Sequence, residues 1–108
     1  MEKYGTNIRG HLDIFAAHKG DEFDGEVAKS QEILIHGDPE GLRSFAEILI
    51  KIADTVQNEI IDLPIGARNH IHLKPGYGLS SSSYKVIIGR LDAKGTGLFY
   101  DRYISAKK

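Results

Sequence analysis

The chain contains no cysteine among its 108 residues. This absence excludes disulfide bonds, thiolate metal sites and a cysteine nucleophile. The chain also lacks any run that approaches the roughly 18 apolar residues of a membrane span. Its first ten residues, MEKYGTNIRG, have no apolar segment of the kind that a secretory signal needs. We therefore predict a cytoplasmic protein that has no membrane partner.

An excess of charge of one sign is missing as well. The 14 Lys and Arg residues nearly balance the 15 Asp and Glu residues, which leaves a formal net charge of -1. Because nucleic-acid binding depends on clustered Lys and Arg, we expect no nucleic-acid partner. The hydrophobic fraction of 41% and the charged fraction of 27% are those of an ordinary globular protein. The length predicts a single domain over residues 1–108.

The clearest predicted element is a helix that begins after Gly37. Asp38 is typical of an N-cap, whose side chain accepts a hydrogen bond from an orphan amide of the first turn. Pro39 follows at the first helical position, where its missing N–H costs nothing. One apolar stripe, at spacings of three and four, then indicates the buried side of the helix. It consists of Leu42, Phe45, Ala46, Leu49, Ile52, Ala53 and Val56.

Alternation of apolar and polar residues predicts strands on both sides of this helix. The predicted strands span residues 7–15, 27–36, 69–74, 84–91 and 97–104. Residues 75–83, with their glycines and serines, are typical of a flexible loop. The predicted fold class is therefore α+β: two layers, a mostly antiparallel sheet of about five strands, and one long helix on one face, in the order ββαβββ.

One helix cannot cover such a sheet. Five strands make a layer roughly 24 Å wide, whereas a helix is about 10–12 Å across. If the last two predicted strands pair about residues 92–96, Val86 lies beside Arg102, Ile88 beside Tyr100 and Arg90 beside Leu98. We expect this mostly apolar set to face the helix together with Ile71 and Leu73. The opposite face then carries His70, His72, Lys74, Lys85, Ile87, Phe99, Asp101 and Tyr103. Its composition is typical of a protein-interaction surface, although a register shift of one residue would exchange the two faces.

The His70-Ile71-His72 stretch raises the alternative of a small metal-dependent enzyme. The two side chains project from one side of a strand, with Cα atoms about 6.6 Å apart. Zinc needs three or four ligands, and His36 or Asp38 could complete the set only if their strand end lies alongside. Two exposed strand histidines explain the same pattern without a metal.

No other catalytic arrangement is evident. Ser80 to Ser83 lack the Gly-x-Ser-x-Gly surroundings of an activated nucleophile, and no glycine pattern fits a phosphate-binding loop, so we expect no cofactor. Asp21, Glu22, Asp24 and Glu26 cluster near a predicted hairpin tip. They indicate either a solvated loop or an acidic prong that attracts a basic partner.

Four runs of the sequence resemble the immunity protein 32 family of bacterial polymorphic toxin systems. They are EILIHGDPEGLRSFAEILIKIA, HIHLKP, LSSSSYKVIIGRL and GLFYDRYI. The resemblance is carried by Gly37-Asp38, Gly41-Leu42, His70-x-His72-Leu73 and Leu79-Ser80. It implies a small α+β protein with no catalytic residues, which stays in the cytoplasm and blocks a cognate toxin by binding it. The near-neutral charge departs from the strong acidity common among immunity proteins against nucleases, and this leaves the toxin's activity open.

Together these observations predict a toxin-binding surface formed by the open sheet face and the acidic tip. The predicted contact residues are His70, His72, Lys85, Ile87, Phe99, Asp101, Tyr103, Asp21, Glu22 and Asp24. A homodimer that hides its open face against itself is a further alternative, and it is compatible with toxin binding.

Overall fold

A computed structural model describes residues 8–107 of the chain. It contains one α-helix, α1 (Pro39–Asp54), a short 3₁₀ helix (Gln57–Glu59) and seven strands. The strands are β1 (Leu12–Ala17), β2 (Glu22–Phe23), β3 (Glu26–Val27), β4 (Glu32–Gly37), β5 (His70–Pro75), β6 (Gly78–Leu79) and β7 (Val86–Gly89). The first predicted strand started at Asn7, which lies outside the described residues. None of the described helices has the length and apolar character that crossing a membrane requires.

Five of the strands, β1, β4, β5, β6 and β7, lie side by side in one layer beneath α1, whereas β2 and β3 pair with each other in a separate hairpin. β1 pairs antiparallel with β4, and β5 pairs antiparallel with β7 and parallel with the short β6. The chain after β6 joins these pairs, because the N–H groups of Ser80 and Tyr84 donate to the carbonyls of Leu12 and Ile14 at 2.9 and 2.7 Å. The layer therefore runs β4, β1, residues 78–84, β5, β7, and the predicted α+β class is confirmed.

Helix α1 begins as the sequence predicts. The Asp38 carboxylate accepts hydrogen bonds from the N–H groups of His11 and Gly41, at 3.0 and 2.8 Å. These two bonds hold the pKa of Asp38 below its usual value, because both favour the charged form. The close approach needs a glycine, since a Cβ on Gly41 would lie 1.9 Å from the His11 carbonyl oxygen.

The core lies between α1 and one side of the layer. Its buried side chains are Leu12, Ile14, Ile48, Leu73 and Leu79, with Ile8, Phe45, Ile71, Val86 and Ile88 packed against them. The predicted orientation of β5 and β7, with Ile71, Leu73, Val86 and Ile88 towards the helix, is confirmed.

The buried side of α1 differs from the predicted stripe. Gly41, Ser44, Ile48 and Ile52 are the buried residues, whereas Leu42 and Leu49 are exposed. Because Gly41 lies against the His11 backbone, α1 is oriented so that these small and apolar residues face β1. Ser44 fits there because its hydroxyl donates to the Arg9 carbonyl and accepts the Arg9 N–H, both at 3.1 Å.

The predicted strand over residues 97–104 is wrong. The turn before it forms, with Gly95 at φ +80° and the Ala93 N–H donating to the Leu98 carbonyl. No ladder follows in the described chain. Two arginine side chains explain this. Arg90, which follows β7, donates to the Thr55 carbonyl at the end of α1, at 2.7 Å, and Arg68 donates to the Leu98 carbonyl, at 2.6 Å. The predicted pairing of Ile88 with Tyr100 therefore does not occur.

Candidate partner-binding surface

The side of the layer opposite α1 is referred to here as the outer face. Residues directly across an antiparallel ladder point to the same side of a sheet. The pairs Asp13–His36 and Phe15–Leu34 of β1 and β4 therefore point outwards, as does His72–Ile87 of β5 and β7. The outer face carries Asp13, Phe15, Leu34, His36, His70, His72 and Ile87.

The two histidines of β5 contact each other on this face. Their ring centroids lie 5.0 Å apart, with the ring planes inclined by 50°. His70 is exposed, and its Nδ1 lies 3.1 Å from the Arg68 carbonyl oxygen. His72 is only 6% exposed, whereas its cross-strand neighbour Ile87 is 58% exposed. The expectation that both imidazoles are exposed is therefore wrong for His72. Its buried ring packs against the exposed ring of His70.

A metal site at this pair lacks further ligands within residues 8–107. No group of three or more His, Cys, Asp or Glu side chains in that range is arranged to hold an ion. Of the two suggested third ligands, His36 lies across from Asp13 and against the Phe15 ring, and Asp38 caps α1. Because zinc sites use three or four protein ligands, two imidazoles alone do not build one.

A cleft lies where the β2–β3 hairpin folds over the outer face. It has a volume of about 300 Å³, and Phe23, Leu34 and His36 are among its lining residues. The Phe15 and Phe23 rings meet at 5.3 Å and join the hairpin to β1. Asp24, Glu26 and Glu32 also line the cleft. The cleft is therefore lined by both apolar and acidic residues.

The hairpin itself ends in a two-residue turn. Asp24 and Gly25 both have positive φ, +50° and +80°, which is the geometry of a type I′ turn and suits an Asp-Gly pair. Asp21, Glu22 and Asp24 are exposed on it, and Asp21 also accepts the His18 N–H at 2.7 Å. The three predicted acidic residues therefore lie together, close to the cleft.

The serine run has a structural task. The hydroxyls of Ser80 and Ser82 donate to Asp13 Oδ1, at 2.5 and 2.7 Å. The bond from Ser80, followed by that from Ser82, lowers the pKa of the Asp13 carboxyl below its usual value. The two hydroxyls therefore tie the serine run to β1 through Asp13.

The predicted contact residues near the C-terminus form a separate patch. Phe99 and Tyr103 meet edge to face, with ring centroids 5.4 Å apart, and both remain about half exposed. Asp101 is exposed in the turn between them. Tyr100 lies under the Arg68 guanidinium, 3.8 Å from the ring centroid, so this segment runs close to the start of β5. Lys85 is exposed just before β7.

The structure thus brings His70, His72 and Ile87 together on the outer face. The segment of the aromatic pair contacts the chain just before β5, where Tyr100 lies against Arg68. Sequence reasoning missed the cleft residues Phe23 and Leu34, and Phe15, whose ring contacts Phe23. It named His36 only as a possible metal ligand. Phe15 carried a signal, because it continues the polar side of the alternating run Arg9, His11, Asp13 and is the one aromatic residue there.

Comparisons with known proteins identify a family. A search of curated proteins and a search of solved structures found no match. A model of the family described as immunity protein 32 matches residues 32–91, from the first residue of β4 to just beyond β7. That range is more than half of the chain and contains α1 and the histidine strand. The chain belongs to the immunity protein 32 family.

Proposed function

We propose that this protein is a bacterial cytoplasmic immunity protein of a polymorphic toxin system, which neutralises a cognate toxin domain by direct binding and without catalysis. Family membership supports a toxin partner in general. The observation that carries the proposal is the part of the outer face on β5 and β7, because the β2–β3 hairpin folds over β1 and β4. α1 packs on the other side of the layer, and the outward-facing Ile87 and His70 are exposed. An exposed surface of apolar and imidazole groups is suited to protein contact.

Three patches are proposed to contact the toxin. The first is the outer face around His70 and Ile87, with Lys85 beside it and His72 as its support. The second is the aromatic pair Phe99 and Tyr103 with Asp101, since half-exposed aromatic side chains are typical anchors of an interface. The third is the hairpin with Asp21, Glu22 and Asp24. Its carboxylates would attract a basic toxin surface and speed encounter more than they would strengthen the complex.

The experiment is co-expression with the toxin encoded beside this gene, followed by calorimetry on the purified pair. The wild-type chain should restore growth and bind the toxin domain. Ile87→Asp should weaken binding by about 2 kcal/mol, because a charge would be buried in the contact. Ser81→Asp, an exposed position on the loop after β6, is the matched control and should leave binding unchanged.

Two results would contradict the proposal. One is the absence of binding between the purified chain and that toxin. The other is growth rescue in which the toxin is chemically altered and no complex forms, because rescue would then depend on catalysis. Equal binding by Ile87→Asp and wild type would retain an immunity protein but remove the outer face from its contact surface.

A further inference from the structure

The edge of the layer at β4 has an unusual combination of features. Within residues 8–107, β4 pairs with β1 alone, so its other edge is open. Ile33 and Ile35 point to the α1 side of the layer and are 65% and 48% exposed. Leu42 and Leu49 of α1 are 44% and 40% exposed, and Leu42 reaches β4 at Gly37. These four side chains form an apolar strip, termed the edge groove, beside an open strand.

Hydrogen-bond geometry shows which backbone groups this edge presents. The Asp38 N–H donates to the His11 carbonyl at 3.2 Å, one step beyond the Leu12–Gly37 pair of the ladder. Hydrogen-bonded pairs recur at every second residue of an antiparallel ladder. His36 and Leu34 therefore direct their backbone groups towards β1. Ile33 and Ile35 direct theirs away from β1, out of the open edge.

Natural proteins usually protect such an edge with Lys, Pro, a bulge or a covering segment. β4 has the sequence EILIHG, which contains neither Lys nor Pro. Its six pairs with β1 are consecutive, so no bulge interrupts the strand. An open, regular and apolar edge of this kind is suited to pairing with another strand.

We propose that β4 pairs antiparallel with β4 of a second copy of this chain, about a two-fold axis at Leu34. In that register Ile33 of one copy is opposite Ile35 of the other, and both present outward N–H and C=O groups. Leu34 is opposite Leu34. Glu32 is opposite His36 on the outer face, where the imidazole can donate to the carboxylate.

The fit of the edge to itself is the reason for choosing a second copy. The register centred on Leu34 pairs the outward backbone groups of both copies, joins the two edge grooves and places the Glu32 carboxylate opposite the His36 imidazole. A shift of two residues in either direction retains backbone pairing but separates Glu32 from His36. A two-fold contact also closes on itself and leaves no β4 edge for further addition. The outer face around His70 and Ile87 stays accessible, so this dimer does not depend on the proposed function.

A single-cysteine variant tests the register directly, since the chain has no cysteine of its own. Leu34→Cys should form an intermolecular disulfide on mild oxidation. Residues opposite each other in a non-hydrogen-bonded pair have Cα atoms about 4.5 Å apart, within the range for a disulfide. Glu32→Cys is the matched control on the same strand. Its two copies would lie about 14 Å apart, too far for a bond.

A second variant tests the backbone pairing without cross-linking. Ile33→Pro removes an N–H that points out of the open edge, and it leaves the bonds to β1 intact. Sedimentation equilibrium should show a dimer for the wild type and a dissociation constant about 10- to 100-fold higher for Ile33→Pro, because two intermolecular bonds and two apolar contacts are lost. Ile87→Lys, on β7, should dimerise as the wild type does, and circular dichroism should show both variants folded.

Several outcomes would overturn the proposal. They are a wild-type monomer at every concentration at which the protein stays soluble, a dimer in which Glu32→Cys cross-links as readily as Leu34→Cys, and a dimer unaffected by Ile33→Pro. Cross-linking of Leu34→Cys to a co-purified toxin alone would likewise overturn it, and would assign the edge to the toxin instead.

Discussion

Residues 80–83 and residues 98–104 differ in the opposite way from what their sequences predict: the predicted loop is anchored to the sheet, and the predicted strand is not. The serine run is typical of a flexible loop, yet it is fixed to β1 by backbone and side-chain hydrogen bonds. The segment Leu98–Ile104 alternates like a strand, yet it joins no ladder in the described part of the chain. In that described part, the Phe99 and Tyr103 rings contact each other, and Tyr100 lies against the Arg68 guanidinium.

The difference shows that a segment is ordered by the partners its path reaches. After β6 the chain passes beside the second edge of β1, whose Leu12 and Ile14 carbonyls accept two of its N–H groups. After β7 the chain is drawn away from the sheet. Lys94 is buried and donates to the carbonyls of Ile60 and Leu63, both at 2.6 Å, so that the following residues emerge beside the 60–68 loop.

Removing the main side-chain anchor of the serine run should have the largest effect on stability. The buried Ser83 hydroxyl accepts the Ile14 N–H at 3.0 Å, and it can donate to the carbonyl of Ile14 or of Tyr84. Ser83→Ala leaves the Ile14 N–H buried without this acceptor, and should cost about 2 kcal/mol in the free energy of unfolding. Urea denaturation measures it.

Ser81→Ala is the matched control, because Ser81 lies in the same run but is exposed. Its free energy of unfolding should stay within about 0.5 kcal/mol of the wild type. Equal effects of the two substitutions would contradict the claim that residues 80–83 are anchored rather than loosely attached.

Features that depend on neighbouring residues were predictable from the sequence. The Asp38 cap and Pro39 set the start of α1, and alternation identified the strands around Ile14, Ile35, Leu73 and Ile88. The turn at Gly95 was predictable for the same reason, since a glycine takes positive φ at little cost.

Features that depend on residues distant in the chain were not predictable. The rotation of α1 follows from contact between Gly41 and His11, and the burial of Ser83 follows from its place beside β1. At the candidate surface, the spacing of His70 and His72 predicted that they share a face but not that His72 is buried. The cleft beneath the hairpin depends on Phe15 meeting Phe23, a contact that neither local pattern contains.

The aromatic pair of the C-terminal segment should contribute less to stability than Ser83 does. The double substitution Phe99→Asp with Tyr103→Asp removes one edge-to-face contact between half-exposed rings. It should lower the free energy of unfolding by about 1 kcal/mol, and toxin affinity by about 100-fold if the pair is an interface anchor. Urea denaturation and calorimetry measure the two quantities.

The control for this substitution is Tyr77→Asp with Tyr84→Asp, which adds the same charge at two other exposed rings. It should leave toxin affinity unchanged. Global unfolding of the Phe99 and Tyr103 variant would show that residues 98–104 are as firmly integrated as the serine run, and would remove the contrast between the two segments.

The smallest expected effect is the dependence of stability on pH that comes from Asp13. Hydrogen bonds from Ser80 and Ser82 lower the pKa of this carboxyl in the folded chain, so the unfolded chain binds more protons near the ordinary pKa of 3.8. Stability should therefore be full above that value and decline as the pH falls through the lower folded pKa. Asp38 and Asp92, whose pKa values are also lowered, act in the same direction.

Asp13→Asn should make the fall of the urea midpoint between about pH 5 and 2 less steep than in the wild type. The effect is small, because water screens a partly exposed carboxylate. Asp101→Asn, on the C-terminal segment, makes the same change of charge and should keep the wild-type slope. If Asp13→Asn kept the wild-type slope and Asp101→Asn reduced it, the serine hydroxyls would not stabilise the Asp13 charge. Backbone bonds and Ser83 alone would then fix residues 80–83 to β1.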